Sequence, residues 1–461
     1  MTEPHHSTRQ LERPPAAPPG EEQAAPATYV APPSASESRT LMSRMGKGAS
    51  VMVFLTLVAS GVNYASNLIF SRVLEPASYG DLTALLALLV VLTVPTVAAQ
   101  TVIAERVASS LAAGQLDRAR YLIRHALAHV AVIAMVVGFV YTLSIPFIVD
   151  LLDLQATGPA IALAPLVTLT FLLPVAMGTL QGMDRYLAFG FMLLAIAVSR
   201  IAFGVPWAST AAGGSGGAIA GQALGVGVVL AGAAWLLRGD LIGRGTGAAT
   251  SGLRRKPDVR AVSAGLAFVA FAVISNLDIL LAKLFLSSEE VGLYAALSTI
   301  GKVIMFLPGA VAVVMVPNAA RARHTRRESA RVLRIAGLLV AATTLVAALP
   351  AALAPEFLVE TMFGSDYTDA TAGVLPIVCA GAGMSLLYLL VIYSVAVEDR
   401  RWSLLLGAGI ALQVIGISIF HDSPAQIALV QAIVIGIVLL GNELRFHSLL
   451  MTPRRSVANG G

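Results

Sequence analysis

Residues 71–85 read SRVLEPASYGDLTAL, and residues 282–297 read AKLFLSSEEVGLYAAL. The two stretches align with one extra residue in the second, and each follows a Ser-Asn-Leu triplet, at 66–68 and at 275–277. Each leads into an apolar run interrupted by a proline, Pro95 or Pro308, fifteen and sixteen residues after Gly80 and Gly292. The chain therefore reads as two related halves. Each half has an even number of apolar runs, so the repeat is expected to be parallel, about an axis normal to a membrane.

The membrane itself follows from composition. Of 461 residues, 57% are hydrophobic and 12% are charged, whereas a soluble domain carries about 25% charged residues. Apolar runs of the length that crosses a bilayer core fall at roughly 49–71, 82–104, 123–148, 159–181, 187–207, 214–237, 261–286, 291–317, 333–354, 372–396, 402–420 and 424–446. Counting from an inside N-terminus, 27 of the 31 Lys and Arg residues lie in the inside segments. Only Arg72 falls in an outside loop, and Arg200, Lys283 and Lys302 lie within spans. The outside loops instead carry acids such as Asp150, Asp153, Glu289, Glu290, Glu356 and Asp366. Missing or inventing one span would move every later loop to the other side, so this asymmetry supports twelve spans with both termini cytoplasmic. The fold class expected is an all-α integral membrane protein of the cytoplasmic (inner) membrane, with two pseudo-symmetric six-helix bundles.

The expected organisation is a disordered Pro/Ala-rich cytoplasmic tail (1–45), a first bundle (46–237), a Gly-, Ser- and Arg-rich cytoplasmic linker (238–260), a second bundle (261–447) and a basic cytoplasmic tail (448–461). No cleavable signal peptide is expected, because the first apolar run starts too far from the N-terminus. The lone cysteine, Cys379, allows no intramolecular disulfide. The basic residues sit in short loops between spans, so they do not point to nucleic acid. No Walker A, dinucleotide-binding or nucleophile-elbow sequence is present; neither ATP hydrolysis nor another enzymatic activity is expected, and no cofactor is implied.

The stretches SNLIFSRVLEPASYGDLTAL, NLDILLAKLFLSSEEVGLYAAL, MVPNAARAR and FGSDYTDATAGVLPI together resemble polysaccharide flippases (O-antigen and exopolysaccharide type) of the multidrug/oligosaccharidyl-lipid/polysaccharide exporter superfamily. They occur in the family's order over most of residues 50 to 400. The resemblance implies a central V-shaped cavity between two six-helix lobes. It also implies movement of a lipid-diphosphate-linked oligosaccharide, of the undecaprenyl type, from the inner to the outer leaflet. Twelve spans favour the polysaccharide branch over the related lipid II flippases, which usually have fourteen.

Polar residues inside spans locate the chemistry, because a charge at the centre of a lipid-facing helix costs about 2.5–3.5 kcal/mol on insertion scales. Tyr294, Ser298 and Lys302 recur every four residues and share one helix face, and Tyr294 and Ser298 are assigned with Lys302 to the substrate path. Lys302 is too deep for easy snorkelling, which makes it either a partner for a carboxylate or a cation on the substrate path. Lys283 shares a face with Asn276 and lies near the outer surface, so it faces the substrate path or snorkels. Asp278 points nearly opposite Lys283. It reads either as a partner for a basic residue on another helix or, with Asn276, as a coupling site for H⁺ or Na⁺, since a carboxylate cut off from water can exchange protons near neutrality. Arg200 suits a diphosphate because its planar fork donates paired hydrogen bonds. Ser60, Asn63, Asn67 and Ser71 form a polar stripe that lipid cannot satisfy, and Asn63 and Asn67 are assigned to the substrate path. Pro95 and Pro308 are the expected hinges. His125 and His129 have the i, i+4 spacing of metal ligands, but no acidic or Cys partner adjoins them and no metal site is assigned.

The leading functional expectation is a flippase for cell-surface polysaccharide biosynthesis, driven by an ion gradient as an antiporter or by the substrate gradient. Other polysaccharide-assembly proteins are expected as partners. The alternatives are a multidrug exporter of the same superfamily, whose cavity should be acidic and aromatic, a membrane-embedded glycan polymerase or ligase, which needs a substantial outer loop, and a non-transporting scaffold.

Overall fold

The computed structural model describes residues 35–210, 213–239, 259–306, 326–396 and 402–446. The expected hinge Pro308, the MVPNAARAR stretch, most of the linker 238–260 and the tail 448–461 lie outside the described residues, as does 1–34. Residues 35–45, expected to be irregular, are helical and open the first helix. Extending an existing helix requires no new nucleus, so weak local propensity suffices there.

The first half comprises α1 (Ala35–Val73), α2 (Pro76–Thr93), α3 (Pro95–Ala112), α4 (Leu116–Leu151), α5 (Thr157–Gly182), α6 (Tyr186–Ser199), α7 (Val205–Ala208) and α8 (Gly214–Leu236). The second comprises α9 (Val259–Ile274), α10 (Leu277–Phe285), α11 (Ser288–Phe306), α12 (Arg326–Leu353), α13 (Pro355–Phe363), α14 (Val374–Ala396), α15 (Trp402–Ile419) and α16 (Pro424–Phe446). Among the described residues, ten helical segments are long and apolar enough to cross a membrane. The other two expected spans are α11, described to Phe306, and the shorter apolar segment of α15.

Local sequence sets the helix ends. Pro76, Pro95 and Pro355 each sit in the first turn of a helix, where a missing N–H costs nothing and the fixed φ suits the helix. Helix α3 stops at Gly114, whose φ of +69° turns the chain left-handed. The amides of Gly114 and Gln115 then bond back to Leu111 and Ser110 at 2.9 Å, a Schellman closure that satisfies two terminal carbonyls.

Two expected spans are not continuous helices. The second bends between α2 and α3, with Val94 at the junction and Pro95 opening the new segment, because proline cannot donate to the carbonyl four residues back. The seventh breaks at Ser275–Asn276, where α9 ends and α10 begins. Both side chains turn back onto the end of α9: Ser275 Oγ donates to the Phe271 carbonyl at 2.8 Å and Asn276 Nδ2 to that of Ala272 at 2.9 Å. Such side-chain bonds compete with the helical ladder. A third irregularity is a π-helical turn at Arg200–Gly204, between α6 and α7.

The two halves meet most closely where the repeated motifs meet. A Cβ on Gly80 of α2 would lie 3.0 Å from the amide nitrogen of Gly292 on α11, and one on Gly292 would lie 2.1 Å from the Pro76 carbonyl oxygen. The two glycines that align in the repeat are thus the surfaces through which the halves touch backbone to backbone.

Candidate functional site

The break at Asn276 frees its side-chain oxygen, which accepts from Lys302 Nζ on α11 at 3.1 Å. Asp278, in the first turn of α10, is buried. Its Oδ2 accepts from the Tyr294 hydroxyl at 2.8 Å and from Ser298 Oγ at 3.5 Å. The Tyr294 hydroxyl also lies 3.1 Å from Gln431 Oε1 on α16. Asp278 Oδ1 is buried without a hydrogen-bond partner among the described residues. Ser275, Asp278, Ser298, Lys302 and Gln431 surround a cavity of about 20 Å³, space for one water-sized species. The helix face of Tyr294, Ser298 and Lys302 therefore converges with Asn276 and Asp278 inside the second bundle.

The first bundle holds a related arrangement. Arg200, the first residue of the π-helical turn, donates to the side-chain oxygens of Asn63 and, at 3.1 Å, Asn67 on α1. Its Nε is buried and unpaired among the described residues. Asn67 and Asn276 occupy the same place in the two Ser-Asn-Leu triplets, so each triplet asparagine holds one cation. Helix α1 also reaches the second bundle through Tyr64: its hydroxyl donates to the Lys302 carbonyl at 3.1 Å, and the Tyr64 and Phe306 rings lie 6.3 Å apart. Asn63 and Asn67 lie on an adjacent face of α1, turned toward Arg200.

Lys283 sits apart from these groups. Its Nζ lies 2.7 Å from Asp81 Oδ1 on α2, with both side chains buried. It neither snorkels nor lines the Asp278 cavity; it spans the contact between the halves. Asp81 escapes the sequence reading because the second span is expected to start at residue 82, whereas α2 starts at Pro76. The Glu75-Pro76 step is the signal that would have moved that start. Further bonds cross the same end of the interface: the Tyr79 hydroxyl with Thr299 Oγ1 at 3.0 Å, Tyr367 to the Ser71 carbonyl at 3.1 Å, and Arg72 to the Thr361 carbonyl. Tyr79 and Tyr367 pack edge to face at 6.2 Å. This end is closed.

No protein-family model and no curated protein sequence matches the chain. Solved structures do. An inward-facing multidrug-resistance MATE family transporter of the MOP superfamily matches with a TM-score of 0.63 at 14% identity, over 86% of this chain and 98% of that one. The lipid II flippase MurJ, in an inward closed conformation, matches at 0.65 and 10%, over 87% and 88%. The chain has the MOP-superfamily fold. A MOP transporter from Pyrococcus furiosus, described as having a binding pocket of reverse polarity that suggests a different function, matches at 0.58 and 14%, over 87% and 95%.

Proposed function

We propose that this protein is a flippase that moves a lipid-diphosphate-linked oligosaccharide from the cytoplasmic to the outer leaflet of the cytoplasmic membrane by alternating access. The observation that carries the proposal is Arg200, a guanidinium within a span held by the neutral amides of Asn63 and Asn67, with Nε unpaired among the described residues. Such a charge is costly in a membrane interior and favours an anion. Lys302, held by the triplet asparagine of the other half beside the Asp278 cavity, adds a second cation. A diphosphate at that depth must replace lost hydration with protein donors, and Arg and Lys are the side chains suited to this. A carrier for cationic drugs would be expected to concentrate carboxylates there. Here Asp81 is neutralised by Lys283, and Asp278 lies inside the second bundle.

Asp278 and Asn276, with Ser298, Tyr294 and Gln431, form the coupling site for H⁺ or Na⁺ in this proposal. The unpaired Oδ1 and the 20 Å³ cavity support it. A deletion strain tests the function: it should accumulate a lipid-diphosphate-linked glycan on the cytoplasmic side and lose the corresponding surface polysaccharide. A strain with unchanged lipid-linked glycans and increased sensitivity to cationic drugs would overturn the flippase reading in favour of the exporter.

A further inference from the structure

Away from these residues, α3 and α4 enclose a cleft of about 110 Å³. Arg106 enters it from α3, and His125 and His129 enter it from α4; Val102, Ile103 and Leu122 are among its apolar walls. The two imidazole rings are 3.9 Å apart between centroids, and Tyr121 stacks on His125 at 5.6 Å. His129 Nδ1 bonds the His125 carbonyl oxygen at 2.8 Å; the carbonyl can only accept, so Nδ1 carries the hydrogen and the ring is held in place. Among the described residues, Arg106 has neither an ion pair nor a side-chain hydrogen bond. A guanidinium beside two imidazoles, with no carboxylate lining the cleft, repels a metal ion and attracts an anion.

The surroundings say what kind of anion. The first three turns of α4 carry Arg118, Arg120 and Arg124, and beyond His129 the helix becomes apolar. Val132, Val136, Val140 and Leu143 continue the helix face of His125 and His129, and all are exposed. Exposed apolar side chains within a span face lipid. The cleft therefore lies where an arginine-rich helix end gives way to a lipid-facing stripe. By the positive-inside pattern this is the cytoplasmic interface, the leaflet rich in anionic lipid.

We propose that this cleft binds the phosphodiester headgroup of an anionic membrane phospholipid through Arg106, His125 and His129, with an acyl chain lying along the Val132–Leu143 stripe of α4. A soluble phosphate would use the same donors but gain nothing from the stripe. The site is independent of the flippase proposal, because none of its residues contacts Arg200, Lys302 or Asp278.

The test is native mass spectrometry of the full chain from mixed micelles of phosphatidylglycerol and phosphatidylcholine, with thermal unfolding in each lipid. The wild type should retain phosphatidylglycerol preferentially and melt higher in it. The double variant Arg106→Gln/His129→Gln should lower that preference about tenfold or more while melting normally in phosphatidylcholine. Arg106→Lys should keep much of the preference. Should the double variant not fold, Val136→Glu on the stripe should weaken phosphatidylglycerol retention with the cleft intact. Inorganic phosphate and glycerol phosphate at millimolar concentration should neither displace the lipid nor raise the melting temperature as it does. Equal lipid preference in wild type and in every cleft or stripe variant would overturn the proposal. So would stabilisation by inorganic phosphate equal to that by the phospholipid, which would make the cleft a soluble-anion site.

Discussion

Removing the charge of Lys283 separates a latch between the halves from a residue on the substrate path. In Lys283→Met, Asp81 keeps only the Gln155 amide, 3.3 Å from Oδ2, a long bond for a buried carboxylate. Breaking a buried ion pair by deleting one partner costs about 3–5 kcal/mol, whereas replacing both partners by neutral groups of similar volume is often close to neutral. At about 1.4 kcal/mol per decade, the single change weakens the contact between α2 and α10 by roughly two to three and a half decades. Asp81→Asn alone strands the lysine and should act similarly. The double variant Asp81→Asn/Lys283→Met should recover most of the loss, giving a coupling energy of about 2 kcal/mol or more in a double-mutant cycle. Thermal unfolding in detergent and transport by the same four proteins supply the two readouts. Both should follow the cycle. Additive losses of stability across the cycle would refute the latch, and full recovery of stability without recovery of transport would return Lys283 to the substrate path.

Asp278→Asn should abolish the pH or sodium dependence of transport in a folded, inserted protein; unchanged dependence would reduce Asp278 to a structural hydrogen-bond acceptor. Gly292→Ala places a methyl 2.1 Å from the Pro76 carbonyl oxygen, so it should destabilise the protein by about 1–3 kcal/mol as overpacking does. Gly436→Ala, where nothing lies within 4 Å, should be neutral or stabilising, and equal melting temperatures for the two would contradict the close contact of α2 with α11. For the topology, a reporter active only in the cytoplasm should work when fused after residue 250 and fail within 356–369; reversal at either site would remove the twelve-span arrangement.

The spans were legible because apolar length and loop charge are local properties of the sequence, and so was the bend at Pro95. The shared face of Tyr294, Ser298 and Lys302 and the opposition of Asp278 to Lys283 followed from helical periodicity alone. Periodicity gives a direction around one helix axis but not the identity of the helix it meets. The pairings Lys283–Asp81, Arg200–Asn63/Asn67 and Lys302–Asn276 therefore required the fold. The break at Ser275–Asn276 was hidden for a related reason. Ser and Asn are tolerated inside helices, and only their bonds back to Phe271 and Ala272 show that they end one here. The α3–α4 cleft was half visible: the histidine spacing is local, but the arginine that decides the sign of its ligand comes from another helix.

The central claim is that the cations at Arg200 and Lys302 serve an anionic lipid-linked substrate. It is tested most directly by reconstituting the wild type, Arg200→Gln and Lys302→Ala into liposomes and following transbilayer movement of a lipid-diphosphate-linked oligosaccharide beside uptake of a cationic dye. A charged hydrogen bond contributes about 1.5–3 kcal/mol, so each variant should flip the glycan lipid about tenfold more slowly or worse at 1.4 kcal/mol per decade. Lys302→Arg should retain much of the rate, and none of the proteins should move the dye. Wild-type flipping rates in both charge-removal variants, or dye transport that persists or rises in them, would contradict the account.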